Sequence, residues 1–343
     1  MTTPPALPSQ RLAALIGGIG AIVVALLFTA LVMIGSAASP AEAFGVLLTG
    51  AFSTPARLAD ATMLIAPLTL CAVGLTLTFG AGVYNLGVDG QMTFGAIVAM
   101  AAMRASLGLP PPAAWALALL CGALGGVAWG LLGGWLKVVG RVNEIFAGLG
   151  LNFVATGVAL YLVAGPWRKQ GTAAITSTEL LPQAYWLPVV GKLRVAPLAP
   201  ALALLAVVAV WVLLSQTRWG LAVRATGLNP SAARRLGVPS TRRLIEALAG
   251  CGALAGVAGA LQVLAVFHAL IPNISSGIGL VGLLVALLAR ANPLATLPIA
   301  ILFGCFSIGA IQLPLKLGID SSIAGVLQGA LVLFVLMARG VRR

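Results

Sequence analysis

PLAPALALLAVVAVWVLL, residues 197–214, runs eighteen positions without a charge and leads into SQTRWGLAVRATGLNPSAARRLGVPSTRRL, residues 215–244, which carries six arginines. A bilayer core of about 30 Å takes about 20 apolar residues as a helix. Arginines clustered just past such a helix mark its cytoplasmic end. This one boundary therefore predicts both a membrane span and its orientation.

Working outward, apolar runs of similar length lie near residues 12–35, 60–81, 91–107, 113–136, 145–165, 244–268, 278–290, 294–313 and 321–338. The expected fold is all-α, a polytopic transmembrane helix bundle of about ten spans with short cytoplasmic coupling helices. Composition agrees: 60% of the 343 residues are hydrophobic and 8% are charged, against roughly 25% charged in a soluble domain. The 42 glycines suit helices that associate through small residues, since lipid supplies no hydrophobic force between them. Four-residue spacings such as Gly126/Gly130/Gly134 and Gly252/Gly256 read as packing faces.

The net charge of +13 would suit a nucleic-acid surface if the basic residues shared a folded face. They lie instead in short gaps between apolar runs, so topology explains them and no nucleic-acid partner is expected. With ten spans and an inside N-terminus most basic residues fall inside, including the terminal Arg339, Arg342 and Arg343. The junction at Asn292-Pro293 is read as a break between two short spans, because proline disfavours helix at the residue before it. One kinked span would reverse the C-terminus and strand those arginines outside. The expected organisation is a cytoplasmic tail over 1–11, a permease domain over 12–338 whose segment 215–243 is cytoplasmic, and a basic tail over 339–343. A signal peptide ending near Ser36-Ala37-Ala38-Ser39 is the lesser alternative for the first run.

Chemistry-bearing residues are sparse. The seven acids fall in gaps or near span ends, and the single histidine, His268, closes a span. A Ser/His/Asp arrangement or a zinc site cannot be built from this set. Catalytic residues, a metal site and a cofactor are therefore not expected, and the chain is not read as an enzyme. Cysteines 71, 121, 251 and 305 sit within apolar runs as packing residues. The lack of mid-span carboxylates argues against a proton- or ion-coupled transporter. No GxxxxGK[ST] phosphate loop occurs, so any ATP hydrolysis belongs to a separate chain. Between Gly165 and Pro197, an expected outer loop carries Trp167, Tyr185 and Trp186, which form either an interfacial belt or a partner surface.

Three polar segments interrupt the apolar background. YNLGVDGQMTFGA, Tyr84 to Ala96, places Asn85, Asp89 and Gln91 among glycines. It is either the wall of a pathway, its glycines letting the backbone break or turn at membrane depth, or a cytoplasmic turn capped by asparagine and aspartate. Arg141-Val142-Asn143-Glu144 precedes a span containing Asn152, whose amide either bonds across helices or faces solute. In the arginine-rich segment, Asn229 as N-cap, Pro230 at the first position and Gly237 past the end predict a short helix over 231–236. So short a helix is marginal alone in water, which makes it a knob docked on a partner or a basic loop on lipid headgroups.

At these residues the chain resembles the permeases of bacterial ATP-binding-cassette (ABC) importers for branched-chain amino acids, simple sugars and nucleosides. Tyr84 to Gln91, YNLGVDGQ, fits the nucleoside-branch form F/Y-N-[LI]-G-[VA]-[ED]-G-Q, with aspartate where glutamate is commoner at Asp89. Val142 to Ile145 and Leu151-Asn152 resemble the family's V-N-E-[IV] and L-N motifs. Arg224, Ala225, Gly227, Asn229, Ala232, Ala233 and Gly237 match its R-A-x-G-x-N-x-x-A-A-x-x-x-G coupling segment. The sugar-branch form G-x-x-D-L-S-[VI]-G is not found here. The resemblance covers roughly residues 12–338.

The resemblance implies a permease subunit in a bacterial inner membrane, and the charge distribution puts both termini on the cytoplasmic side. A separate ABC ATPase would drive it, a second permease would pair with it as a heterodimer, and an extracytoplasmic binding protein of the basic membrane lipoprotein type would feed it. Asn85, Asp89, Gln91, Asn143 and Asn152 are the candidate substrate pathway. Arg224, Gly227, Asn229, Ala232, Ala233, Arg234, Arg235 and Gly237 are the candidate coupling residues. A simple-sugar permease, an ATP-independent transporter or channel, and a membrane scaffold remain the other readings of the sequence.

Overall fold

The computed structural model describes residues 8–35, 39–169, 176–191 and 193–340. The terminal residues 1–7 and 341–343, and the Ser36–Ala38 part of the alternative cleavage site, lie outside the described residues. All regular structure among the described residues is helical, apart from two isolated β-bridges. The chain divides into two compact units, Met1–Ala61 with Leu302–Arg343, and Thr62–Ile301.

In chain order the helices are α1 (Pro8–Gly35), α2 (Pro40–Thr49), α3 (Pro55–Gly80), α4 (Val88–Ala105), α5 (Pro111–Val138), α6 (Glu144–Ala164), α7 (Leu198–Gln216), α8 (Arg218–Leu228), α9 (Pro230–Arg235), α10 (Ser240–Leu261), α11 (Ile278–Leu288), α12 (Pro293–Ala310), α13 (Leu313–Leu317) and α14 (Ile323–Gly340). Several start on proline, whose missing N–H is no loss in a first turn. Six helices among the described residues are long and apolar enough to cross a membrane, and the sharply bent pair of α1 and α2 makes up to seven. The other three expected spans fall on α4, whose 18 residues include Asp89, Gln91 and Arg104, on α11, which has only 11 residues, and on α14.

In the first unit α1 lies along α14, with Phe28 edge-on to Phe334 at 5.9 Å. Gln312 donates from Nε2 to the Gly50 carbonyl at 2.6 Å, and Gln328 donates to the Phe303 carbonyl at 3.0 Å. These buried amides do the cross-helix bonding that lipid-embedded bundles rely on.

The second unit is built around α4, α5 and α10, packed backbone to backbone. A Cβ at Gly126 would strike the Gly252 carbonyl, and one at Gly256 the Gly122 carbonyl, so the four-residue glycine spacing is a packing face. Phe94 of α4 stacks on Trp129 of α5 at 4.3 Å. By contrast Phe146, Phe153 and Tyr161 of α6 and Leu205 and Val208 of α7 are exposed, as helices facing lipid or another subunit would be.

The predicted break at Asn292-Pro293 is present. After α11 the chain turns through Arg290 and Ala291, both at positive φ, and Asn292 Oδ1 accepts from Leu294 N at 3.1 Å as α12 begins. The far end of α10 winds into a π-helical turn, Gln262–Phe267, which the sequence does not announce. It ends at His268 in the left-handed region, φ 54.

Candidate pathway and coupling sites

The polar turn after α3 decides between the two readings of YNLGVDGQ. The chain leaves Gly80, turns at Gly82 with φ 77, and runs non-helically to Gly87. It does not stay at the end of the bundle. Asn85 is 5% exposed and donates from Nδ2 to Gln91 Oε1 at 3.1 Å and to Cys251 Sγ at 3.2 Å. Cys251 stands near the middle of the 28-residue span Ser240–Phe267, so the turn climbs back into the bundle and α4 starts there. This is irregular backbone at depth, buried in protein as it must be when no water is at hand.

Each polar side chain of the turn has a bonding job. Asn85 Oδ1 also accepts from Gly87 N at 3.1 Å. Asn152, from α6, accepts from Gly90 N at 2.7 Å and donates to the Leu86 carbonyl at 2.9 Å, clamping the turn at both ends. Asp89, on the first turn of α4, is buried, and its Oδ1 accepts from Gly279 N at 2.9 Å in the first turn of α11. Its carboxylate meets the positive end of that short helix, the favourable arrangement for an anion. The aspartate's being near a helix end, as the sequence places it, therefore does not make it peripheral.

Asn85 and Gln91 share a small recess of about 20 Å³ with Val83, Trp129, Glu144 and Leu151. That is room for a water molecule or one oxygen of a ligand. The Trp129 Nε1 is buried there without a protein partner. Asn143 is not part of this cluster: it is exposed and caps α6, accepting from Ile145 N at 2.9 Å. Glu144 beside it pairs with Lys137 at 2.6 Å.

The arginine-rich segment folds as two helices. Asn229 Oδ1 accepts from Ser231 N at 3.1 Å and Ala232 N at 3.0 Å, capping α9, and Gly237 follows its end at φ 81. The helix spans Pro230–Arg235, one residue earlier at each end than the expected 231–236. Ala233 is buried, whereas Arg224, Ala232, Arg234 and Arg235 are exposed. Leu228 and Leu236, flanking the knob, are 89% and 83% exposed. The other helix, α8, adds to the single helix expected in this segment; Thr217 caps it by accepting from Gly220 N at 3.0 Å. Gly227, at its end, lies so close to the Gly80 carbonyl and to Gly82 that a side chain there would collide with both.

At the end of α10 near Phe267, residues 176–191 form a strap. Leu181 N donates to the His268 carbonyl at 2.8 Å, and Thr178 N to the Leu270 carbonyl at 2.9 Å. Trp186 stacks on His268 at 3.8 Å. Tyr185 accepts from Gly108 N through its hydroxyl at 2.7 Å and from Trp115 Nε1 through its carbonyl at 2.8 Å. Arg104 sits over Trp167 at 5.3 Å. Trp186 and Tyr185 thus hold the strap to the helix ends beneath it. Burial pushes the His268 imidazole below its usual range, opposed by its bond to the Leu264 carbonyl.

Comparison with known proteins gives the family of the chain. The family described as "Branched-chain amino acid transport system / permease component" matches residues 57–336. The chain belongs to this permease family. It is 28% identical to the guanosine ABC transporter permease protein NupP of Bacillus subtilis, over 97% of this chain and 96% of that one. It is also 27% identical to the glucose ABC transporter permease protein TsgB13 of Haloferax volcanii, over 89% of this chain and 82% of the relative. A third relative, the nucleoside ABC transporter permease protein NupB of Lactococcus lactis, is 24% identical over 92% and 88%. The chain is a multi-pass permease component of an ABC transporter, and the resemblance read from its motifs holds.

Proposed function

We infer that this permease carries nucleosides inward across a bacterial cytoplasmic membrane, both termini on the cytoplasmic side, with a separate ATPase driving it. The re-entrant turn carries the reading: a segment of nucleoside-branch form folded to the middle of the bundle, with the amides of Asn85 and Gln91 on a small, mostly apolar recess. The near end-to-end likeness to a guanosine permease supports it. Asn85 and Gln91 would meet solute hydroxyls or ring nitrogens, Asp89 and Asn152 would hold the wall in shape, and Asn143 would stand at its inner mouth.

The ATPase would dock on α9. Its exposed Arg234 and Arg235 would face acidic side chains, and Leu228 and Leu236 would fill apolar hollows. Exposed apolar faces on α6 and α7 leave area for a second permease, a paralogue in a heterodimer, as well as for lipid. A binding protein would deliver solute at the strap end. ATP-driven closure would move α9 as a rigid body and alternate access to the wall.

The test is uptake of radiolabelled nucleoside by cells with and without this chain, competed by unlabelled bases and sugars, beside a strain whose ATPase cannot hydrolyse ATP. Loss of nucleoside uptake in both strains is expected. Loss of sugar uptake alone would move the solute to the sugar class, and uptake that persists without ATP hydrolysis would overturn the importer.

A further inference from the structure

The coupling knob α9 makes few ties to the spans. The helix before it does the gripping. Gly220 of α8 packs directly on the carbonyls of Leu213 and Leu214 at the end of α7. Val223 is fully buried, in the place where a side chain on Gly80 of α3 would meet it at 3.5 Å. Gly227 abuts Gly80 and Gly82, the residues where the re-entrant turn begins. Three residues before the turn's polar cluster starts, therefore, the chain rests on α8.

One carboxylate fixes the other side of α8. Glu246, in the second turn of α10, accepts from Trp219 Nε1 at 2.7 Å, from Arg243 Nη1 at 2.6 Å and from Arg242 Nε at 2.7 Å. The two arginine bonds stay within α10, at spacings of three and four residues where side chains share a face. The tryptophan bond crosses to α8. Bonds to a charged acceptor are the strong class, and Glu246 and Arg243 are both largely shielded from solvent. Trp219 is the only indole in the arginine-rich segment, and its N–H is spent on this one acceptor.

We propose that α8 is the lever that carries the motion of α9 to the re-entrant turn, and that Glu246, through Trp219, is the positioning residue that ties this lever to α10. The proposal rests on the importer reading above. Motion at α9 reaches α8 through Asn229, which ends one helix and caps the other. From α8 it passes to α10 through the Trp219–Glu246 bond and to the turn through the glycine contact.

The test uses the assembled transporter, this permease with its partner permease, ATPase and binding protein, in proteoliposomes, with solute uptake and ATP hydrolysis measured on the same sample. Trp219→Phe removes only the N–H, and Glu246→Gln keeps an acceptor oxygen but removes the charge. Each is expected to assemble and hydrolyse ATP as the wild type does while uptake per ATP falls, by about tenfold in Trp219→Phe, the factor that goes with losing one charge-assisted hydrogen bond, and by less in Glu246→Gln, which loses only the charge. The double variant should be no worse than the worse single, because both act on the same tie. Unchanged uptake per ATP in Trp219→Phe would overturn the lever. So would a parallel fall of assembly, hydrolysis and uptake, which would make the tie merely structural. A wild type that shows no ATP-dependent uptake would instead overturn the importer reading.

Discussion

Asn152→Ala attacks the re-entrant turn at its clamp. The wild-type side chain makes two hydrogen bonds to backbone groups of the turn, accepting from Gly90 N at 2.7 Å and donating to the Leu86 carbonyl at 2.9 Å. Truncation leaves both backbone groups without that partner. Leaving a buried group unpaired costs about 1–3 kcal/mol in soluble proteins, while side-chain bonds inside membrane bundles average about 0.6 kcal/mol. Two such bonds together give about 1–3 kcal/mol against the closed turn. The turn holds Asn85 over the fully buried Cys251 thiol, so its opening exposes that sulfur. A shift of 1–3 kcal/mol corresponds to a labelling rate about 5- to 150-fold faster. The assay is maleimide labelling of a variant in which Cys251 is the sole cysteine, with thermal stability in detergent measured in parallel. Labelling and stability both unchanged by Asn152→Ala would refute the clamp.

Gly126→Val should abolish folded protein in the membrane, because its side chain would strike the Gly252 carbonyl and force two spans apart, whereas Gly325→Ala, which meets nothing within 4 Å, should express normally; membrane yield and gel filtration read both. Asn229→Ala removes the cap of α9 at a cost of about 1 kcal/mol and should lower ATPase-driven uptake, while Asn229→Asp keeps the acceptor and should restore it; an uptake assay of the pair decides. His268 is held below its usual pKa of 6.5 by burial. Because the folded value is the depressed one, the strap is at full stability above 6.5 and loses stability as pH falls from there toward the folded value. Quenching of Trp186 fluorescence by the imidazolium should therefore have its midpoint below 6.5, and a midpoint above it would contradict the burial.

What could be read in the sequence follows from how local each signal is. The long apolar runs and the Asn229-Pro230 and Gly237 signals around α9 are decided within a few residues; the helices of the runs start within about five residues of their expected places, and α9 within one. The break before Pro293 is local in the same way. The depth of the re-entrant turn is not local. Asn85 meets Cys251, 166 residues away, and no periodicity of the turn encodes that partner. Helix α8 has a Thr217 cap that could have been found, but its mix of arginine, glycine and apolar residues lacks a clear face and reads as loop. The roles of Trp219 and Glu246 depend on tertiary pairing across 27 residues. Asn143, chosen for the pathway by its polar side chain, lies apart from the buried cluster and caps the start of α6.

The central claim is that ATP drives nucleosides inward through this chain. Its most direct test is the full transporter in proteoliposomes, with radiolabelled purine nucleoside and the binding protein on one side and ATP on the side of α9. The account requires accumulation that depends on ATP and on this permease and is competed by nucleosides but not by sugars. Accumulation without ATP, or ATP-dependent accumulation competed only by sugars, would contradict it.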